Sequence, residues 1–434
     1  MDAPTTSSEP LATCDRPRSW FIESDSLRLA GIIRGKPGPT LAGMASMTNL
    51  DRSVSRIEPA IARELEARKR RLGEGRAPFV SPPLDEVGRR LSVLFAATLP
   101  ESKIHGLQPL TGGASKQHFS FDLEEPGGRR RALVLRTALG ECLGTPPNFR
   151  RESEVQRALR GVVPVAEVVC VDADGEHFGA PAIVLERVSG VTVPPEAAGR
   201  PSGLGMLFPP GRRAHLAATF VENLRSIHRF ADAPGAASLV SFERPTPRSC
   251  EAAGGGIAWW RRVWEDDAVD DHPMVQVALD WLEENAPVTE SISLVHGDYR
   301  SGNFLFDPET NAVTAILDWE LARFGDRHED LGWTLSSING AVDDEGNSFV
   351  CGLEPRASFL TRYEALSGLP VDSERLFFYE VFAELKVAVI ALGIGPRNAA
   401  ARQSHAHLAN LVFSPLGWRS LARLAEMLRP RIRP

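Results

Sequence analysis

The sequence predicts an α+β chain in which a small antiparallel sheet precedes a mostly helical region. Three observations lead to this class. Short alternating runs separated by glycine-containing turns follow Ile104, and apolar residues recur at helical spacing over 214–230 and 377–392. Between the two helical stretches, residues 294–320 alternate short apolar runs with polar loops. With 434 residues, the chain is long enough for two or three lobes with a sizeable core.

Composition narrows the function classes. The formal net charge is −7, which gives no support to a nucleic-acid partner. The five cysteines are scattered, without metal-site or disulfide spacing, and this fits a reducing cytoplasm. The most apolar long run, 377–393, contains Glu380, Glu384 and Lys386, so we expect neither a membrane span nor a membrane partner. No feature of the sequence indicates an oligomeric state.

The N-terminal hundred residues divide into two parts. Residues 1–50 are rich in Pro, Ser, Thr and Gly without periodicity, which predicts a flexible extension; Met44 and Met47 leave a later natural start open. Residues 51–103 form a helical segment, with amphipathic helices predicted near 52–72 and 84–99. We expect both helices to pack on the lobe that follows.

The block at residues 294–320 carries the clearest chemistry. Apolar runs flank a polar loop, turn residues follow at 307–311, and a further apolar run ends on Asp318. This pattern predicts a strand, a loop, a hairpin and a final strand, so that Asp298, Asn303 and Asp318 converge.

These three side chains suit phosphoryl transfer. That reaction needs a carboxylate to orient and deprotonate the attacking hydroxyl, together with oxygen ligands for Mg²⁺. Asp298 is the candidate catalytic residue, and Asn303 and Asp318 are the candidate metal ligands. Taken singly, they could be a loop cap, a turn residue and a helix cap; the ordered set favours phosphoryl transfer.

A glycine-containing hairpin near the start of the sheet is a candidate phosphate site. Paired glycines let backbone N–H groups approach phosphates closely, so Gly112, Gly113 and Ser115 are candidate nucleotide contacts. On its own, such a pair is more often only a turn.

The block at 294–320 resembles the aminoglycoside phosphotransferase and choline kinase superfamily. The loop opens His-Gly-Asp, Asn303 follows Asp298 at the expected spacing, and Trp-Glu follows Asp318. The Leu-Arg ending of the strand at 131–137 resembles more narrowly the kinase-like domain fused to some acyl-CoA dehydrogenases. The resemblance implies a bilobal protein-kinase-like fold, with a small antiparallel-sheet N-lobe and a mostly helical C-lobe, that uses ATP and Mg²⁺.

The resemblance also assigns further roles. Arg136 stands where most members have a lysine that holds the nucleotide phosphates, and Glu152 on the next helix is expected to pair with it. Backbone groups of Glu186 and Val188 are expected to contact adenine. The implied lobes are a nucleotide-binding N-lobe at 104–187 and a catalytic and acceptor-binding C-lobe at 188–434.

Three polar residues have expected supporting roles. Asp330 follows a segment similar to the family's Gly-Asp-x-x-x-Asp-Leu, with Arg327 in place of the usual proline, and should cap a helix and brace the catalytic loop. His296 is expected to order that loop, and His228 to be a packed helix histidine near it.

The sequence therefore predicts an ATP- and Mg²⁺-dependent phosphotransferase acting on a hydroxyl of a small molecule. An aminoglycoside would need carboxylates such as Glu380 and Glu384, whereas a hydroxyacyl-CoA acceptor would need cations, such as Lys386, Arg397 and Arg402. We favour the acyl acceptor. The alternatives are an aminoglycoside resistance kinase, a nucleotide-binding pseudokinase without turnover, and a metal-dependent hydrolase using His296 and Asp298, for which the sequence offers no further ligand set.

Overall fold

The structure is a computed structural model that describes residues 56–73, 78–110, 116–138, 148–199, 202–402 and 413–432. The predicted flexible extension at residues 1–50 lies outside these ranges. Within them, the chain forms the predicted α+β arrangement, a small antiparallel-sheet lobe followed by a mostly helical lobe.

The sheet lobe contains five antiparallel strands in the order β1-β2-β3-β5-β4. The strands are β1 (Lys103–Leu110), β2 (Gln117–Glu124), β3 (Arg130–Thr137), β4 (Val168–Asp172) and β5 (Ala182–Glu186). β2 and β3 form the predicted hairpin, in which His118 pairs with Arg136, and β3 lies between β2 and β5. Arg136 is therefore held on a central strand of the sheet.

The two N-terminal helices pack on different lobes. α2 (Leu84–Thr98) packs on the sheet as expected, because Leu91 and Phe95 belong to the same core as Phe121. α1 (Pro59–Gly73) instead belongs to the helical lobe, so the prediction for this helix is wrong. Leu65 packs there among the hydrophobic side chains of that lobe, and the buried Arg68 forms an ion pair of 2.7 Å with Asp267.

One helix connects the sheet to the rest of the molecule. α3 (Phe149–Leu159) follows β3, and Asn148 caps its N-terminus by accepting a hydrogen bond from the Arg151 N–H at 3.1 Å. Phe149 packs toward the sheet, whereas Val155 and Leu159 pack into the core of the helical lobe. This position carries Glu152 inward, between the two lobes.

Among the described residues, the helical lobe has two large hydrophobic clusters, one containing Phe220 and the other Phe382, and a smaller one around Trp333. Its helices are α4 (Pro210–Arg229), α5 (Glu251–Asp267), α6 (Pro273–Glu284), α7 (His328–Thr334), α8 (Arg356–Ser367), α9 (Ser373–Ala388), α10 (Gly395–Ala401) and α11 (Ser414–Leu428). A π-helical stretch, Val389–Ile394, joins α9 to α10. None of the described helices is long and apolar enough to cross a membrane.

Short strand pairs support the loops of this lobe. The pairs are β6 (Ser293–Val295) with β9 (Arg323–Gly325), β7 (Phe304–Phe306) with β8 (Val313–Ile316), and β10 (Ala341–Val342) with β11 (Ser348–Phe349). The first two pairs confirm the strand, loop and hairpin predicted from residues 294–320.

Candidate active site

The catalytic loop, residues 296–303, connects β6 to β7. It needs a glycine at its second position, because Gly297 has φ +82° and a Cβ there would lie 2.6 Å from Leu321. The close passage of these two backbones brings the loop against the segment that carries Asp318. The His-Gly-Asp opening therefore has a steric reason.

Three side chains orient the Asp298 carboxylate. Oδ1 accepts hydrogen bonds from Trp333 Nε1 at 2.6 Å and from Arg300 Nε at 3.1 Å. Oδ2 accepts one from Asn303 Nδ2 at 2.6 Å. The Asp298 side chain remains 20% exposed, so a fixed carboxylate is open to an incoming hydroxyl. Neither Trp333 nor Arg300 was among the residues singled out from the sequence, which gives no sign of these contacts.

A buried aspartate holds the loop backbone. Asp330, on α7, accepts the N–H groups of His296 at 2.7 Å and Gly297 at 2.8 Å. His228 lies 3.2 Å from the same carboxylate, so Asp330 braces the loop and His228 is a packed helix histidine, as predicted. The predicted capping role of Asp330 is wrong, because Asp330 lies inside α7, whose N-cap residue is Arg327. Burial would raise the pKa of Asp330, but hydrogen bonds from His228 and from the His296 backbone, together with nearby charges, hold the pKa below its ordinary value.

The His296 ring joins the loop to the next strand. Nε2 lies 2.9 Å from the carbonyl oxygen of Leu317, and Nδ1 lies 3.2 Å from the Asp298 backbone nitrogen. A ring that donates through Nε2 and accepts through Nδ1 satisfies both contacts. His296 therefore orders the loop, which confirms its expected role.

The β7–β8 pair brings the two candidate metal ligands together. Asn303 immediately precedes β7, Asp318 follows β8, and the Leu317 N–H donates to the Asn303 carbonyl at 2.7 Å. Asp318 adopts a left-handed conformation with φ 59°, which is uncommon for a residue other than glycine. Its side chain is 41% exposed, so the carboxylate also faces solvent.

Five charged side chains form a cluster that we call the ion-pair network: Lys116, Arg136, Glu152, Asp318 and Glu320. Arg136 lies 3.3 Å from Glu152 and 2.7 Å from Asp318, so the predicted partners are brought together. Lys116, which the sequence analysis did not single out as a cation of the site, lies 2.9 Å from Glu152 and 2.7 Å from Glu320. The sequence feature that could have drawn attention to Lys116 is the rarity of lysine, since the chain has only five lysines among 49 basic residues.

The ion-pair network shifts the pKa values of the side chains that face the candidate nucleotide site. The surrounding protein partly desolvates the Asp318 carboxylate, but the positive charges of Arg136 and Lys116 hold its pKa below the ordinary value. Burial raises the pKa of Glu320, although Lys116 opposes this effect. The pKa of Lys116 is raised, because Glu152 and Glu320 outweigh its burial. Asp318 is therefore a carboxylate in the pH range of the cell.

The remaining sequence-predicted nucleotide contacts have different outcomes. Gly112, Gly113 and Ser115 lie outside the described residues. Glu186 ends β5, and its N–H donates to the Glu167 carbonyl at 2.9 Å, so that donor is engaged. The carbonyl of Glu186 and the backbone of Val188 remain the groups proposed to contact adenine.

The donor set fits a magnesium ion that completes its shell with substrate oxygens. Among the described residues, no group of three or more His, Cys, Asp or Glu side chains could hold a metal ion on its own. Magnesium is usually bound by one or two carboxylates together with waters and phosphates. The ionised Asp318 and the Oδ1 of Asn303, whose amide nitrogen is bonded to Asp298, meet that requirement.

Comparisons with known proteins agree with this geometry. Residues 106–370 match the family described as Phosphotransferase enzyme family, abbreviated APH. Acyl-CoA dehydrogenase family member 11 of Gallus gallus is 28% identical over 70% of this chain. The chain spans only 39% of the length of that relative. An aminoglycoside 3'-phosphotransferase of Streptomyces fradiae is 27% identical, over 51% of this chain and 73% of its own.

Solved structures show the same fold. A Ralstonia eutropha protein assigned to the aminoglycoside phosphotransferases aligns with a TM-score of 0.54 and 23% identity, covering 77% of this chain and 98% of its own. A macrolide 2'-phosphotransferase type I aligns with a TM-score of 0.50 and 19% identity, covering 80% and 98%. The family match extends over more than half of the sequence, and the chain belongs to the APH phosphotransferase enzyme family.

Proposed function

We propose that the protein transfers the γ-phosphoryl group of ATP, with Mg²⁺, to a hydroxyl of a small molecule. One observation carries the proposal: Trp333, Arg300 and Asn303 orient the Asp298 carboxylate. Nearby, Arg136 pairs with both Asp318 and Glu152. This arrangement provides a proton acceptor, metal ligands and a phosphate-binding cation in one place.

Asp298 is the proposed catalytic residue. Its carboxylate orients the acceptor hydroxyl and takes its proton as the hydroxyl oxygen bonds to the γ-phosphorus and the bond to the β-phosphate oxygen breaks, releasing ADP. Trp333 and Arg300 keep this carboxylate aligned. Because its side chain is only partly exposed, the acceptor must enter from the open side of the loop.

Asn303 and Asp318 are the proposed metal ligands. When bound, magnesium neutralises charge between the nucleotide phosphates. Arg136, which contacts Asp318 at 2.7 Å, is the cation proposed to bind those phosphates, and Glu152 positions it. Gly112, Gly113 and Ser115 remain proposed phosphate contacts.

For the acceptor, we propose a molecule with an apolar chain, of the hydroxyacyl thioester class. The lining of a cavity of about 460 Å³ includes Leu335, two residues along the chain from Trp333, and the cations Arg356 and Arg419. Its apolar lining includes Leu204, Leu335, Ile338, Phe349, Val350 and Leu416. An apolar cavity suits a hydrocarbon chain. The relatives named acyl-CoA dehydrogenase family members make an acyl thioester a reasonable first choice.

Two carboxylates considered for an aminoglycoside are engaged within the protein. Glu384 accepts hydrogen bonds from Ser420 Oγ at 2.6 Å and from the Ser337 N–H at 3.1 Å, and Glu380 pairs with Arg356. A polycationic drug would have to displace these partners. The suggestion that Lys386 meets CoA phosphates is also wrong, because Lys386 is buried and donates to the Gly297 carbonyl at 3.0 Å.

The test is ATP consumption with Mg²⁺ against 3- and 4-hydroxyacyl-CoA thioesters and against aminoglycosides. We expect turnover with the acyl panel, and Asp298→Asn should lower it by about 10³-fold while Mg·ATP binding is retained. Asp307→Asn is the matched control, because Asp307 lies in the turn of the β7–β8 hairpin.

The possible results distinguish the proposed function from its alternatives. Turnover with aminoglycosides alone would contradict the acyl acceptor and favour a resistance kinase. Mg·ATP binding without turnover on either panel would favour a pseudokinase. Turnover that is unchanged in Asp298→Asn would show that the catalytic role belongs to another residue.

A further inference from the structure

Lys116 is buried between the two lobes although it carries a charge. It stands immediately before β2, and its side chain is 0% exposed. Its Nζ donates to Glu152 Oε1 at 2.9 Å and lies 2.7 Å from Glu320 Oε2. Lysine is almost never fully buried unless it is paired, and here the two partners come from α3 and from the segment that follows Asp318. Lys116 therefore joins three segments at the candidate nucleotide site.

Arg136 and Lys116 lie closest to different carboxylates. Arg136 is nearest to Asp318, at 2.7 Å, and farther from Glu152, at 3.3 Å. Lys116 is the cation nearest to Glu152, so the helix glutamate does not depend on Arg136 for its neutralisation. Arg136 is thus left on the side of the network that faces the metal ligand.

The charge balance of the network depends on Lys116. With this residue, two cations face three carboxylates; without it, Arg136 alone would face Glu152, Asp318 and Glu320. An uncompensated buried charge is strongly unfavourable, so Arg136 would be drawn toward Glu152 and Glu320. The side chain of Glu320 would also lose its anchor, two residues after the left-handed conformation at Asp318.

We propose that Lys116 is a positioning residue of the phosphotransfer site. It neutralises Glu152 and Glu320, and thereby keeps Arg136 beside Asp318, where it can turn to the nucleotide phosphates, and keeps the Asp318 segment in its binding conformation. This inference rests on the proposed use of Mg·ATP. It concerns a residue outside strand β3, which carries the expected phosphate-binding cation.

The test is calorimetric measurement of Mg·ATP binding, which needs no acceptor. Lys116→Met keeps the length of the side chain and removes its charge, and we expect it to weaken binding at least about tenfold, or about 1.4 kcal/mol. Lys116→Arg retains a cation and should bind more tightly than Lys116→Met. Lys69→Met is the control, because Lys69 also pairs with a carboxylate, that of Asp266 at 2.7 Å, but has a side chain that is 57% exposed.

The double variant separates charge from packing. Lys116→Met/Glu320→Gln removes one positive and one negative charge, so we expect binding to recover to within about twofold of the unsubstituted chain. A role limited to packing would give no recovery. Thermal unfolding of each variant checks its fold, and if Lys116→Met does not fold, Lys116→Gln with and without Glu320→Gln repeats the comparison.

The outcomes distinguish this inference from the function on which it rests. If the unsubstituted chain does not bind Mg·ATP, the proposed function fails and the inference fails with it. If the unsubstituted chain binds but Lys116→Met binds equally well, or the double variant is as weak as the single one, the inference alone is overturned.

Discussion

The catalytic loop and the ion-pair network lie side by side but are held by different interactions. The loop is fixed mainly through its backbone, since Asp330 accepts the N–H groups of His296 and Gly297, and Lys386 donates to the Gly297 carbonyl. The network is held mainly through side chains, with Lys116 and Arg136 between three carboxylates. Backbone hydrogen bonds hold one geometry, whereas long charged side chains can exchange partners.

This difference suits the proposed reaction. Asp298 must stay in one orientation to receive a proton, and its neighbours allow little movement. Arg136 must leave Asp318 when a nucleotide enters, and an ion pair at a partly exposed carboxylate can be exchanged. Substitutions that remove contacts of the loop should therefore mainly lower the free energy of unfolding. Substitutions in the ion-pair network should mainly weaken Mg·ATP binding.

The largest expected effect comes from Asp330→Asn. The amide would place an N–H donor against one of the two backbone N–H groups that the carboxylate now accepts, inside a fully buried site. We expect the free energy of unfolding to fall by about 3 kcal/mol, with a matching loss of turnover. Denaturant titration measures the first quantity, and the ATP-consumption assay measures the second.

Two controls sharpen this prediction. Asp307 also accepts two backbone N–H groups, from Glu309 and Thr310, but in an exposed turn, so Asp307→Asn should lower the free energy of unfolding much less. The pKa of Asp330 is depressed in the folded state, so its contribution is present above the unfolded value of about 3.9 and is lost as pH falls through the folded pKa. The difference between the unsubstituted chain and Asp330→Asn should therefore shrink below about pH 4. If the stability difference between the two chains did not change with pH, the proposed role of the Asp330 carboxylate in holding the loop would be contradicted.

A smaller effect, on binding instead of folding, is expected from Arg136→Met. Removing this cation takes a charged donor from the phosphates, and we expect Mg·ATP binding to weaken roughly 10- to 100-fold, or about 1.5–3 kcal/mol. Lys116 still neutralises Glu152, so the thermal midpoint should change little. Arg130→Met is the matched control on the same strand, where Arg130 pairs with Glu124 at 2.9 Å on the surface. Equal losses in the two variants would contradict the phosphate role.

The same comparison explains how far the sequence could predict the site. Asp298, Asn303 and Asp318 belong to one strand, loop and hairpin unit, so local turn and strand signals were enough to bring them together. The pairing of Arg136 with Glu152 came from family resemblance. Nothing local predicts that Lys116 enters the same cluster, because its partners depend on how β2, α3 and the segment after β8 pack.

For the fold as well, contacts between neighbouring segments of the chain could be predicted from the sequence, whereas contacts between distant segments could not. The helix at residues 84–98 was predicted correctly with its packing partner, because it directly precedes the sheet it covers. The first helix was assigned to the wrong lobe, since its amphipathic pattern shows that it packs but not against what. Its buried Arg68 finds Asp267 on α5, a contact that no spacing in the sequence indicates.

The smallest expected effect comes from Trp333→Phe, which tests whether side-chain contacts also hold the catalytic loop. This change removes the N–H that donates to Asp298 Oδ1 at 2.6 Å and keeps an aromatic ring near Lys386, whose Nζ lies 4.5 Å from the Trp333 ring centroid. We expect kcat to fall roughly three- to tenfold and the free energy of unfolding to fall by about 1 kcal/mol.

Trp259→Phe is the matched control for that variant. Trp259 is also buried, but its Nε1 has no hydrogen-bond partner among the described residues, so the same loss of ring should leave kcat unchanged. The KM for the nucleotide should stay constant in both variants, because Trp333 donates to Asp298 of the catalytic loop and Trp259 stacks on Trp260. A rise in this KM for Trp333→Phe, without a fall in kcat, would mean that the loop and the network are coupled, and that Trp333 acts through nucleotide binding instead of through the orientation of Asp298.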